Sequence, residues 1–222
     1  MQPRPAPEPF LPLAGVRVAD FSRLLPGPYC AWVLKRLGAS VVKVEDAAAG
    51  DYTRMVPPAV GNHGGMFHVL QRGSRSLAVD LRHPEGRGVA ERLCAASDVV
   101  LEGFRPGVLG AMGLGPEELL ERHPRLVVCS ISGFGQQGAF RSRAGHDLNY
   151  LALAGVLALA GPWGMPAPPP PLPLADLAGG ALPAVIGILG ALLERGGTRG
   201  PRPLTPPSWS IERIAIRSQA RK

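Results

Sequence analysis

Residues 16–45, VRVADFSRLLPGPYCAWVLKRLGASVVKVE, decide the fold. Val16 to Asp20 is a short apolar run ending in an acid, Ser22 to Gly27 is a loop, Pro28 to Leu37 reads as a helix with proline at its start, and Val41 to Glu45 is a second apolar run. Strand, helix and strand in that order seed a parallel sheet with a right-handed crossover. The alternation continues downstream. Ser76 to Leu81 reads as a strand, and Pro84 to about Ala96 as a helix with Val89, Leu93 and Cys94 on one stripe. Val99 to Leu101 is a buried strand, Pro116 to Arg122 a helix, and Leu126 to Ile131 an apolar run of the kind buried on both faces. The class is therefore α/β. Residues 47–75 read as a long Gly-rich loop.

The charge first suggests a polyanion binder: 222 residues carry 24 Lys+Arg against 17 Asp+Glu, a net +7. Its distribution removes that reading. Residues 195–222 hold seven basic side chains and one acid, leaving residues 1–194 at +1. A phosphate-binding face needs basic groups gathered on one surface, so nucleic acid is not expected as a partner. Cys30, Cys94 and Cys129 are far apart with no CxxC pair, so neither a disulfide framework nor a metal site is expected. The N-terminus lacks the apolar core of a signal peptide, and a cytoplasmic location is expected.

From Asp147 the pattern changes to two apolar helical stretches, Leu148 to Ala160 and Leu177 to Leu193, flanking a Pro-rich segment. The second is an uncharged run long enough for a short membrane span. Its four glycines and one proline, with Asp176 at its mouth, favour a helix in a protein core instead. No dinucleotide fingerprint, Walker loop or GxSxG elbow is present. The Ala144-Gly145 step places His146 and Asp147 at a helix start, where the positive helix end favours the neutral base form of histidine. Asp176 stands among apolar neighbours before Gly179-Gly180, a setting for an acid, base or nucleophile. On residues alone, each acid serves equally well as a helix cap.

Six segments resemble, in order, the CoA-transferase family III superfamily, and within it the α-methylacyl-CoA racemases: DFSRLLPGPYCAWVLKRLGASVVKVE, RGSRSLAVDLRHPEG, LEGFRPGVLGAMGLGPE, SGFGQQGAF, AGHDLNYLALAGVL and LADLAGGALPAVIGILGALLER. The resemblance implies a Rossmann-like parallel sheet with flanking helices, a smaller second domain and an interlocked homodimer. It implies an acyl-CoA substrate, with coenzyme A as its handle, and no metal. By this resemblance His146 and Asp176 are the two bases of racemisation, one on each face of the α-carbon. Val79, Asp80, Leu81 and Arg82, together with Gly145, Asp147, Leu148, Asn149 and Tyr150, match stretches that contact CoA, and Arg72, Arg75 and Arg105 are partners for its phosphates. The competing activity is CoA transfer, in which the residue matching Asp176 is the nucleophile. Ala111 and Asp46 stand where the family often carries arginine, and Lys43 is offered as a replacement cation.

The organisation expected is a Pro-rich arm over residues 1–13, the N-terminal part of the large domain over 14–199, and a basic tail over 200–222. After LLERGGTRG the tail departs from the family pattern and reads as out of frame, so the chain is expected to be an N-terminal portion lacking the small domain, its activity uncertain, with apolar surface left exposed on its last helix.

Overall fold

The computed structural model describes residues 11–162, 164–165, 167–196 and 213–217. Its elements run β1 (Arg17–Asp20), α1 (Pro26–Arg36), β2 (Ser40–Glu45), a hairpin of β3 (Ala59–Val60) and β4 (His63–Gly64), α2 (Gly65–Gln71), β5 (Arg75–Ala78), α3 (Pro84–Ala95), β6 (Val99–Glu102), α4 (Pro116–Arg122), β7 (Val127–Ser132), α5 (Asp147–Leu153) and α6 (Val156–Leu159). A π-helical stretch, Ala175–Ala181, then runs into α7 (Leu182–Gly196), and β8 (Arg213–Arg217) follows. The main sheet has the order β5-β2-β1-β6-β7-β8. The first five strands are parallel, and β8 joins β7 antiparallel, an element that the sequence reading of the tail did not contain.

Strand periodicity sorts the core into two layers. Val18, Val99, Leu101, Val127, Cys129 and Ile131 pack against α1 and α7 through Cys30, Leu34, Ala184 and Ile188. Ala19, Val100 and Val128 pack on the other face against Ala90 and Cys94 of α3 and Leu119 and Leu120 of α4. Helices thus cover both faces, which is why β6 and β7 are buried along their length. Each fully buried aliphatic side chain stabilises the fold by roughly 1.5–3 kcal/mol. Arg195, in the last turn of α7, ties that helix down through Asp98 (3.2 Å) and the Arg125 carbonyl (3.0 Å). The opposite side of α7 leaves Leu182, Ile186 and Leu193 exposed. The stretch Ala175–Gly196 is the one helix among the described residues long and apolar enough to cross a membrane; here its buried side packs on the sheet.

The turn from β1 into α1 depends on Gly27, because a Cβ there would collide with the Ser22 side chain. Pro26 occupies the first helical position, where a missing N–H costs nothing.

Three sequence expectations change. Residues 47–75 are not a plain loop: they contain a 3₁₀ turn at Tyr52–Arg54, the β3–β4 hairpin and α2, whose glycine-headed start gives no helix signal. The strand expected over Ser76 to Leu81 is Arg75–Ala78 and stops before Val79. Asp80 ends it by accepting the Arg82 N–H on its own side chain (2.9 Å), a local turn that competes with the ladder. The helix expected over Leu148 to Ala160 is two helices broken at Gly155, whose φ is +75°.

Candidate functional site

Among the described residues, two cavities lie at the carboxyl edge of the parallel strands, one on each side of the point where strand order reverses between β1 and β6. The first, about 290 Å³, is lined by Val79, Asp80, Leu81 and Arg82 with Arg23, Asp46 and Phe104. The second, about 530 Å³, is lined by Glu102, Arg105, Ser130, Gln136, Gln137 and Arg141, with Glu117 and Glu118 from the start of α4. Phe104 and Arg105 are neighbours in the chain, so the loop after β6 is the wall between the two. Arg23 lies over both the Tyr52 ring (5.5 Å) and the Phe104 ring (5.4 Å), which fixes a guanidinium at the mouth of the first cavity. Arg82 pairs with Asp80 (2.9 Å), and that guanidinium holds the Asp80 carboxyl below the usual carboxylate range.

Beneath the first cavity lies a sealed ionic cluster. Lys43, 1% exposed, stands 3.2 Å from Asp51 and 3.5 Å from Asp20 and donates to the Ser22 carbonyl. Asp20 accepts the Ser22 N–H (2.9 Å) and hydroxyl, and Asp51 accepts the Thr53 N–H (2.8 Å) and hydroxyl (2.6 Å). Lys43 is therefore committed to two buried carboxylates and does not replace the cation missing at Asp46. Glu45, next to this cluster, binds Arg54 through both oxygens (2.7 Å each). Burial alone would raise the Glu45 carboxyl, but the hydrogen bonds from Arg54, Ser76 and the Asp51 N–H outweigh it and hold the group at about 2.

His146 is the N-cap of α5, exposed, with its N–H donating to Asn149 Oδ1 at 2.9 Å. Asp147 follows in the first turn and turns toward the next element, where its Oδ1 accepts the backbone N–H of Asp176 at 3.0 Å. One hydrogen bond thus ties the starts of the two helical segments that carry His146 and Asp176. Asp176 lies half-buried in the first turn of the π-helical stretch, beside buried Ala175. Tyr150 anchors α5: its ring packs edge-on to Phe134 (5.4 Å) and occupies the space where a Cβ on Gly133 or Gly145 would lie. Leu148 is exposed.

Arg72 and Arg75 lie apart from these groups. Arg72 lines a cavity of about 950 Å³ between α1 and α2, with Trp32, Lys35 and Gln71. Its carbonyl accepts from Lys35 Nζ (3.0 Å), as do the Leu70 carbonyl (2.8 Å) and Ser74 hydroxyl (2.6 Å). Arg75 opens β5 and bonds Ser40 at the opposite edge of the sheet (3.2 Å). Sequence reasoning missed Glu102, Ser130, Arg23 and Arg141. LEGFRPG was in view, but only strand register pairs Glu102 with Ser130.

Cavities at the carboxyl ends of parallel strands, beside a reversal of strand order, are where α/β enzymes take their ligands. The domain is of that class, and the matches to known proteins narrow it. The chain belongs to CoA-transferase family III, whose model matches residues 13–200. It is 45% identical to the α-methylacyl-CoA racemase of Mus musculus, covering 93% of this chain and 50% of that one. It is 39% identical to the human succinyl-CoA:glutarate CoA-transferase, covering 83% and 42%. A crystal structure of a CaiB/BaiF family protein from Brucella suis superposes with a TM-score of 0.79 at 38% identity, over 83% of this chain and 50% of that one. The chain spans about half the length of the curated relatives it matches.

Proposed function

We propose that the chain carries the proton-transfer groups of an α-methylacyl-CoA racemase. The observation behind this reading is the hydrogen bond from the Asp176 N–H to Asp147, which couples the segment bearing Asp176 to the one bearing His146. In this reading one of the pair removes the α-proton of a 2-methylacyl-CoA. The C–H electron pair moves into the thioester, giving an enolate, and the other group returns a proton to the opposite face. Two bases permit inversion, whereas one returns the proton mainly where it came from. The arginines lining the two cavities suit the handle: Arg23, Arg105 and Arg141 present forked donors of the kind that bind phosphate.

The test is incubation of the chain with a 2-methylacyl-CoA in deuterium oxide, followed by mass spectrometry of the α-position. Deuterium enters with wild type, and His146→Ala and Asp176→Ala each slow its entry by about a hundredfold or more. A wild-type chain that exchanges nothing overturns the proposal. The second reading is CoA transfer, favoured by the 39% identity to a succinyl-CoA:glutarate CoA-transferase. It replaces the first if CoA passes to a free acid without α-exchange and only Asp176 matters, its carboxylate attacking the acyl carbonyl.

A further inference from the structure

The reaction described above uses no group from β6, yet the last residue of that strand is a buried carboxylic acid that lines the 530 Å³ cavity. Glu102 is 4% exposed and lies in register with Ser130 on β7. Both residues fall on the α3/α4 side of the sheet by the strand period, in phase with Val100 and Val128. The Ser130 hydroxyl bonds the Glu102 carboxyl, and Glu102 Oε2 accepts the backbone N–H of Phe104 at 2.8 Å. That second bond bends the chain back over the strand end. It fixes the peptide from which Phe104 enters the wall of the 290 Å³ cavity and Arg105 the wall of the 530 Å³ cavity. Gly107, with φ +88°, closes the same loop, and the Val108 N–H returns to the Arg105 carbonyl at 3.1 Å.

We propose that Glu102 is a positioning residue of the acyl-CoA site: by holding the Phe104 amide it sets the partition between the two cavities and presents Arg105 to the phosphates of CoA. The inference rests on the acyl-CoA reading above. It gives a physical reason for a carboxyl where burial is unfavourable. An aliphatic residue would be cheaper to bury, but would leave the Phe104 N–H and the Ser130 hydroxyl with one partner fewer. Burial pushes the Glu102 carboxyl up to about 7, against the hydrogen bonds from Ser130 and Phe104 that lower it. The charged and titratable groups around it are Arg105 on its own loop, Glu117 and Glu118 at the start of α4, Arg141 beyond β7, and the Cys129 thiol on β7, itself pushed up by burial and by the charge of Glu102.

The experiment compares wild type with Glu102→Gln and Glu102→Leu in the full chain, using two readouts. In the first, the backbone amide resonance of Phe104 is followed from about pH 5.5 to 8.5. It moves with a midpoint near 7 in wild type, as the acceptor changes charge, and the transition is absent from both variants. In the second, coenzyme A itself is titrated calorimetrically. Leucine weakens binding by about tenfold, whereas glutamine, whose carboxamide oxygen still accepts the Phe104 N–H, stays within about threefold of wild type. The proposal is overturned if the wild-type Phe104 resonance does not titrate, if the leucine variant binds CoA as wild type does, or if glutamine is as weak as leucine. Should leucine fail to fold, the glutamine variant and the resonance decide. A wild-type chain that binds no CoA sinks the acyl-CoA reading, and with it the role of Arg105; the resonance then reports separately on the loop.

Discussion

The cluster around Lys43 and the pair His146–Asp176 are built from the same chemical types and stand on opposite terms with water. Lys43, Asp20 and Asp51 are sealed under the sheet edge; each carboxylate has its Oδ1 engaged by a neighbouring Ser or Thr and turns its Oδ2 toward Lys43. Such a cluster is held by pairing of opposite charges, and loss of any member strands the others in a medium that does not solvate charge. His146 is exposed, Asp176 half-buried, and the link between their segments runs through the backbone and Asp147 rather than through the two side chains. The side chains proposed to react thus keep contact with water, while the scaffold fixes where their segments begin. A carboxylate beside a cation is thus not by itself a sign of chemistry; contact with water separates the two cases.

The sharpest way to break this comparison is Lys43→Met, which leaves Asp20 and Asp51 without their cation. The expected loss of unfolding free energy is about 3–5 kcal/mol, measured by urea denaturation at pH 7. A loss under about 1 kcal/mol would show that water reaches the cluster and that the distinction is false.

A smaller effect is expected from Arg54→Met. The Glu45 carboxyl lies at about 2 in the fold, below its unfolded value, so its stabilisation is complete above that unfolded value and disappears as pH falls through the folded one. Arg54 is partly exposed, which screens the pair. The variant should lose roughly 1–2 kcal/mol at pH 7, and its stability should fall less steeply between about pH 4 and 2. An unchanged acid slope would mean that Arg54 is not what holds the Glu45 carboxyl down.

The smallest effect on stability belongs to His146→Ala, about 0.5–1 kcal/mol: the bond from its backbone N–H to Asn149 survives, and what is lost is the side chain's half of the capping box at the start of α5. A cost of several kcal/mol in thermal unfolding would make His146 a structural residue and erase the contrast.

Alternation of apolar runs and helical stripes carried the sheet and its flanking helices, since burial on both faces writes itself into β6 and β7 directly; Pro116 to Arg122 is a helix with the expected bounds. It missed α2, because Gly64 and Gly65 precede its apolar residues and helix propensity gives no warning there. Lys43 looked like a free cation because its partners come from other segments: strand register brings Asp20 beside it, and the loop after β2 returns Asp51 to it. Glu102 was illegible for the same reason: a strand-end acid becomes a loop anchor only once Ser130 is known to lie beside it. His146 and Asp176 were visible as residues at helix starts and by resemblance, but their connection through Asp147 is a fact of packing.

The placement of Tyr150 has a consequence for the segment from Gly133 to Gly145. Its ring fills the Cβ space of both glycines, so a single side chain grips the two ends of a loop that contributes Gln136, Gln137 and Arg141 to the 530 Å³ cavity. The loop's motion is therefore coupled to α5, and whatever displaces Tyr150 loosens the cavity wall and the start of the helix capped by His146 in the same event.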